Sequence, residues 1–191
     1  MNKFEQITQI IKERRSIFPP MFAEEKISDE VVMELLENAN WAPTHRKTEP
    51  WRFRVFGGDS LHQLSEYMGD FYKKNTRPEA YSDKKLEKTL KNPLRSSHVI
   101  AICMQRDPEE RIPEWEEISA VACAVMNLWL SATAKGLAGY WSSPRSILQA
   151  EEFLQLGEGE KCYGMFYLGI PQEDVAAQSQ RGDIKEKVKW M

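Results

Sequence analysis

The stretch from Ile118 to Ala134 carries no charged residue, and it constrains what this chain can fold into more than any other segment. It falls slightly short of the roughly 20 apolar residues that span a bilayer, and Ser119, Asn127, Ser131 and Thr133 dilute it. Glu114, Glu116 and Glu117 crowd its N-terminal side, where acids complement a helix dipole in water. Lys135-Gly136 is a suitable C-terminal stop. A helix apolar on all sides in a water-soluble chain belongs at the centre of something. In a chain of 191 residues that centre can include a subunit interface.

The other segments arrange themselves around this helix. Phe4, Ile7, Ile10 and Ile11 mark one face of a first helix that runs out in Arg14-Arg15-Ser16. Pro19-Pro20 then forces an extended loop. Ser28 reads as the N-cap of a second helix, with Ile27 and Val32 as a hydrophobic staple and Val32, Leu35, Leu36 and Ala39 as its core stripe. Trp51 to Phe56 alternates like a half-buried strand and stops at Gly57-Gly58. A third helix points Leu61, Leu64, Met68 and Phe71 inward. The polar segment 73–97, anchored only by Leu86 and Leu90, reads as a short, solvated helix in a mobile excursion, the place for a lid.

His98 to Met104 is a continuous apolar run and predicts a strand covered on both faces. Ala138 to Trp141 predicts a short strand, Ser146 to Leu156 a helix, and Cys162 to Leu168 the last core strand. The tail 171–191 is polar yet holds Val188 and Trp190, so it is expected to pack on a partner subunit. With no repeat and no linker, residues 1–191 form a single domain. Its helices and strands interleave without strict βαβ alternation, which favours a layered α+β domain over a Rossmann fold.

Several functions are disfavoured. A net charge of −3 with scattered basic residues offers nothing to nucleic acid or an anionic membrane. His45, His62 and His98 share no metal-ligand spacing, so no metal is expected. No G-x-S-x-G elbow, P-loop or G-x-G-x-x-G is present. Cys103, Cys123 and Cys162 are dispersed in apolar surroundings and are expected to be small buried hydrophobes. The charged N-terminus lacks the apolar core of a signal peptide, so the chain reads as cytoplasmic. Without a nucleophile or metal, cofactor-borne chemistry is the expectation.

Four stretches carry that expectation. Arg14-Arg15-Ser16 places two guanidinium forks and a hydroxyl at a helix end, suited to phosphate but, taken alone, more readily a solvated helix C-terminus satisfying the dipole. Trp41 to Trp51 is a loop of cations, hydroxyls and His45 between two prolines, able to line a planar ligand or simply to decorate the surface. Gly136 to Pro144 has small residues that would let backbone approach a flat ring. Leu168-Gly169-Ile170-Pro171 ends the last strand.

In this order and spacing, the four stretches resemble the FMN-dependent nitroreductase family, above all its small, minimal members. Arg14-Arg15-Ser16 resembles the family's R-R-S segment, and Ala42-Pro43-Thr44 through Pro50-Trp51-Arg52-Phe53 its A-P-S-x-x-N-x-Q-P-W-x-F loop. Gly136-Leu137-Ala138-Gly139-Tyr140-Trp141 resembles G-L-G-x-x-W, and Leu168 to Pro171 resembles L-G-x-P. The likeness spans nearly the whole chain.

The resemblance implies a three-layer α/β/α sandwich with a central, mostly antiparallel sheet, working as a homodimer with FMN at the subunit interface. It implies that Arg14 and Ser16 hold the FMN phosphate with Arg15 beside them. Thr44, His45 and Lys47 would approach from the partner chain, Trp141, Ser142 and Ser143 would lie along the cofactor, and Arg181 would add a basic phosphate contact. NAD(P)H would donate hydride, and a nitroaromatic, quinone or related small-molecule acceptor would then take it in a ping-pong cycle, with no catalytic side chain. Three departures stand out. Phe18 occupies a position where the family often has a basic residue, Lys47 replaces the loop asparagine, and Glu49 replaces the glutamine. Lys47 would then supply the positive charge beside the flavin that Phe18 cannot. The alternatives are a same-fold flavoenzyme for dehydrogenation or reductive dehalogenation, a non-catalytic flavin-binding or redox-sensing protein, and a flavin-free module for another small ligand.

Overall fold

The computed structural model describes residues 1–173, 175 and 180–191. Its helices are α1 (Lys3–Glu13), α2 (Asp29–Asn40), α3 (Ser60–Asn75), α4 (Asp83–Arg95), α5 (Glu114–Ala134) and α6 (Arg145–Leu148). Its strands are β1 (Trp51–Gly57), β2 (His98–Gln105), β3 (Ala138–Ser142) and β4 (Glu160–Gly169). The four strands form one sheet in the order β1-β2-β4-β3, and every pairing is antiparallel.

Strand residues alternate between faces, so one sheet feeds two cores. Ile100, Ile102 and Met104 of β2, with Phe166 and Leu168 of β4, meet Val32, Leu35 and Ala39 of α2 and Val121, Ala124 and Leu128 of α5. Val99, Ala101 and Cys103, with Met165 and Tyr167, meet Leu61, Leu64 and Met68 of α3 and Ile147 of α6. The result is three layers, helices on both faces of a sheet, as expected. The continuous apolar run of β2 is explained by this: residues Val99 to Met104 are at most 1% exposed. A register shift between Ala101 and Cys103 places Cys103 opposite Cys162 in the core.

Local chemistry sets the element ends. Asn2 and Glu5 form a reciprocal capping box at the start of α1, each bond 2.9 Å. Ser28 takes the extended N-cap conformation of α2, and neighbouring Asp29 reaches His98 Nε2 at 2.9 Å. His98 Nδ1 also meets Ser97 Oγ at 3.1 Å. This arrangement resembles a hydrolytic triad, but Ser97 is buried and its hydroxyl accepts from the Ile27 amide, so it ties α2 to β2. Gly139 has no alternative, because a Cβ there would run into the Phe166 ring.

Helix α5 is buried along one side; Trp115, Ile118, Cys123 and Met126 stand exposed on the other, which leaves open the apolar side that a subunit interface would need. Three expectations need correction. Cys123 is therefore not a buried hydrophobe, whereas Cys103 and Cys162 are. The segment 73–97 holds a helix of 13 residues, longer than the short one expected, which seats Leu90 against Gly69 of α3 and buries Asn92 and Pro93. The helix expected over 146–156 stops at Leu148 and gives way to turns, with Gln155 in the left-handed region at φ 50°.

Candidate active site

Two clusters of the expected residues form, at opposite ends of α5. The first gathers at its C-terminal half. Arg14 caps α1, and its guanidinium carbon lies 4.5 Å from the centre of the Trp129 ring, a cation–π contact. Burial holds the Arg14 guanidinium below its usual range, and the like charges of Arg15 and Arg181 push it further down. Three cations thus converge from the α1 terminus and the C-terminal tail. Arg15 donates through a terminal nitrogen to the Arg14 carbonyl at 2.7 Å, while its buried Nε has no hydrogen-bond partner. A buried donor without an acceptor is costly, and the acceptor oxygen of an anion would satisfy it.

Ser16 pairs alongside Gly139 of β3, and the next amide, of Ile17, donates to the Gly139 carbonyl at 3.1 Å. This bridge brings the arginines to the sheet edge that carries Trp141 and Ser142, with Ser143 exposed just beyond it. Trp141 donates from its indole to the Tyr163 carbonyl at 3.3 Å, which fixes the ring. Phe18 instead packs on Tyr140, with ring centres 4.5 Å apart.

The second cluster is the loop between α2 and β1. Thr44 ties it together: its hydroxyl lies 3.0 Å from that of Thr48 and accepts from the Glu49 amide at 3.1 Å. Arg46, Lys47 and Glu49 all sit in the left-handed region, at φ 52°, 55° and 40°. None is glycine, so each costs on the order of 1–2 kcal/mol, and strain of this kind concentrates at functional sites. Lys47 is exposed. His45 meets Glu116, in the first turn of α5, with Nδ1 and Oε2 2.6 Å apart.

Within one chain the clusters do not meet. Glu116 and Trp129 are thirteen positions apart on one helix, roughly 20 Å at 1.5 Å per residue. Two participants escape a reading of the sequence. Trp129 is hidden in the uncharged run, and Glu116 reads as a dipole acid until its contact with His45, 71 positions away, is seen.

Comparison with known proteins identifies the family. The profile of the nitroreductase family matches residues 11–170. "Putative NAD(P)H nitroreductase YfhC" of Bacillus subtilis (strain 168) is 31% identical over 183 residues, 91% of each chain. The crystal structure of a nitroreductase-like family protein from Bacillus cereus covers all of this chain, and 98% of its own, at TM-score 0.79 and 24% identity. That of the FMN-dependent nitroreductase NfnB from Mycobacterium smegmatis, in complex with NADPH, covers 99% of this chain and 100% of its own at TM-score 0.79 and 16% identity. The chain belongs to the nitroreductase family.

Proposed function

We propose that this chain is an FMN-dependent NAD(P)H oxidoreductase that works as a homodimer on nitroaromatic, quinone or related acceptors. The observation that carries the reading is the convergence of Arg14, Arg15 and Arg181 with the unpartnered Arg15 Nε. A phosphate monoester suits such a cluster, since it offers several acceptor oxygens and negative charge to guanidinium forks. The names of YfhC and NfnB supply the nicotinamide and flavin parts of the reading.

Bound FMN would take hydride from NAD(P)H and hand it to the acceptor; the chain's own residues hold and orient. Arg14, Arg15, Ser16 and Arg181 would hold the phosphate, and Trp141, Ser142 and Ser143 would flank the ring along the β3 edge. Thr44, His45 and Lys47 are too far away to join them in the same chain, so they would come from a second copy. The apolar surface left open on each chain favours such a copy: Phe4, Ile7 and Ile11 on α1, Trp115 and Met126 on α5, and Trp190 in the tail are all exposed. Patches of this kind on a single chain mark an interaction surface.

The test is a visible absorption spectrum of the purified protein, repeated anaerobically with NADPH or NADH. Flavin bands that bleach with nicotinamide support the oxidoreductase reading. Bound flavin that does not bleach favours a redox-inert binding protein, and a colourless protein that FMN cannot reconstitute overturns the assignment.

A further inference from the structure

The contact between His45 and Glu116 has a chemical direction. His45 is 57% exposed and Glu116 25% exposed at the side chain, with Nδ1 and Oε2 2.6 Å apart. An ionised carboxylate only accepts hydrogen bonds, so the ring nitrogen facing it is the one that carries the proton. Nε2 then points away, and among the described residues nothing bonds to it. His45 and Glu116 border a cleft also lined by Pro43, Thr44, Trp115, Ser119 and Cys123.

Both ends of this contact are held. Glu116 sits between Glu114, paired with Lys161 at 2.7 Å, and buried Glu117, which pairs with Arg106 and accepts from the Asp107 amide at 2.9 Å. His45 belongs to the loop that Thr44 ties to Thr48 and Glu49. A group held on rigid supports keeps its orientation when a ligand arrives.

We propose that Glu116 is a positioning residue that fixes His45 in the Nδ1–H form, so that Nε2 faces the bound acceptor and delivers a proton to it. The inference rests on the oxidoreductase reading, which supplies the reductant. Reduction of a quinone to a hydroquinone takes one hydride and one proton. The hydride comes from the cofactor reduced by NAD(P)H. The proton leaves Nε2 of the His45 imidazolium for the second oxygen, and its electron pair stays on the ring. The ring becomes neutral with Nδ1–H still on Glu116, and water reprotonates Nε2. General acid assistance of this kind contributes about 10²–10⁴-fold.

Ring-¹⁵N-labelled protein, above about pH 8 where histidine is ordinarily neutral, reads the tautomer directly by NMR, with His45→Gln assigning the signal. We expect Nδ1 protonated and Nε2 bare in the native protein and in Glu116→Gln, which still accepts, and the Nε2–H form in Glu116→Ala. A native His45 in the Nε2–H form overturns the inference. The second arm pre-reduces the flavoprotein anaerobically and follows its reoxidation by a quinone. Glu116→Ala and His45→Gln should slow that step by about 10- to 100-fold, and by more than they slow reduction by NAD(P)H. Unchanged reoxidation in His45→Gln overturns the proton step. A protein that takes up no flavin overturns the oxidoreductase reading and the proton step together, whereas the wrong tautomer in an active flavoprotein overturns this inference alone.

Discussion

At the scale of single residues, the candidate site is built from charge and strain. Lys47 is held in a left-handed conformation in the loop that a second copy would bring to the cofactor, and its cation is exposed. A fixed positive charge stabilises negative charge that develops near it. Lys47→Met should therefore lower the midpoint potential of the bound flavin, measured by dye-equilibrated titration; an unchanged potential would show that Lys47 lies elsewhere. The arginine cluster was legible in the sequence because Arg14, Arg15 and Ser16 are neighbours. Arg181, far off in the tail, was reached only through the family resemblance, and the fold brings its charge to Arg14. Glu116 was illegible, since one acid among three at a helix start carries no mark of its partner, and the strain at Arg46, Lys47 and Glu49 leaves no trace in residue type.

At the scale of elements, the entry to α5 is tied by several charged contacts. Arg111 meets Asp107 through Nε at 2.8 Å and through a second guanidinium nitrogen at 3.0 Å. This bidentate bond holds the Asp107 carboxyl down to about 2, although its burial works the other way. A depressed acid stabilises the fold above its unfolded value, near 4, and the contribution is lost as pH falls through the folded value. Stability should thus decline between about pH 4 and pH 2, and Asp107→Asn should be less stable at neutral pH with a shallower decline, measured by thermal melts across that range. The sequence showed the strands well, because β2 and β4 are apolar runs and β1 alternates. It marked α5 as a central helix, but apolar composition alone does not tell a side that meets the sheet from a side left open. The over-long reading of 146–156 failed because turns after Leu148 also bury Ala150 and Leu154, which mimics helical spacing.

At the scale of the whole molecule, one chain leaves the open side of α5 and the apolar stripe of α1 unpartnered. If a second copy covers them, Cys123 becomes shielded, although it is the one cysteine exposed on a single chain. Alkylation followed by mass spectrometry should find Cys123 slow at high protein concentration and faster on dilution, with Cys103 and Cys162 slow throughout. Equal reactivity at all concentrations would place Cys123 outside the interface. The roughly 20 Å of α5 between the arginine cluster and the His45 loop also has a genetic consequence. Two chains, one carrying Arg14→Ala with Arg15→Ala and the other a glycine-substituted 44–47 loop, would each be inactive alone. Co-expressed, they would meet in half of the dimers, and each mixed dimer would hold one site with both defects and one with none. About a quarter of the wild-type activity should return, a rescue that no arrangement confined to one chain can produce.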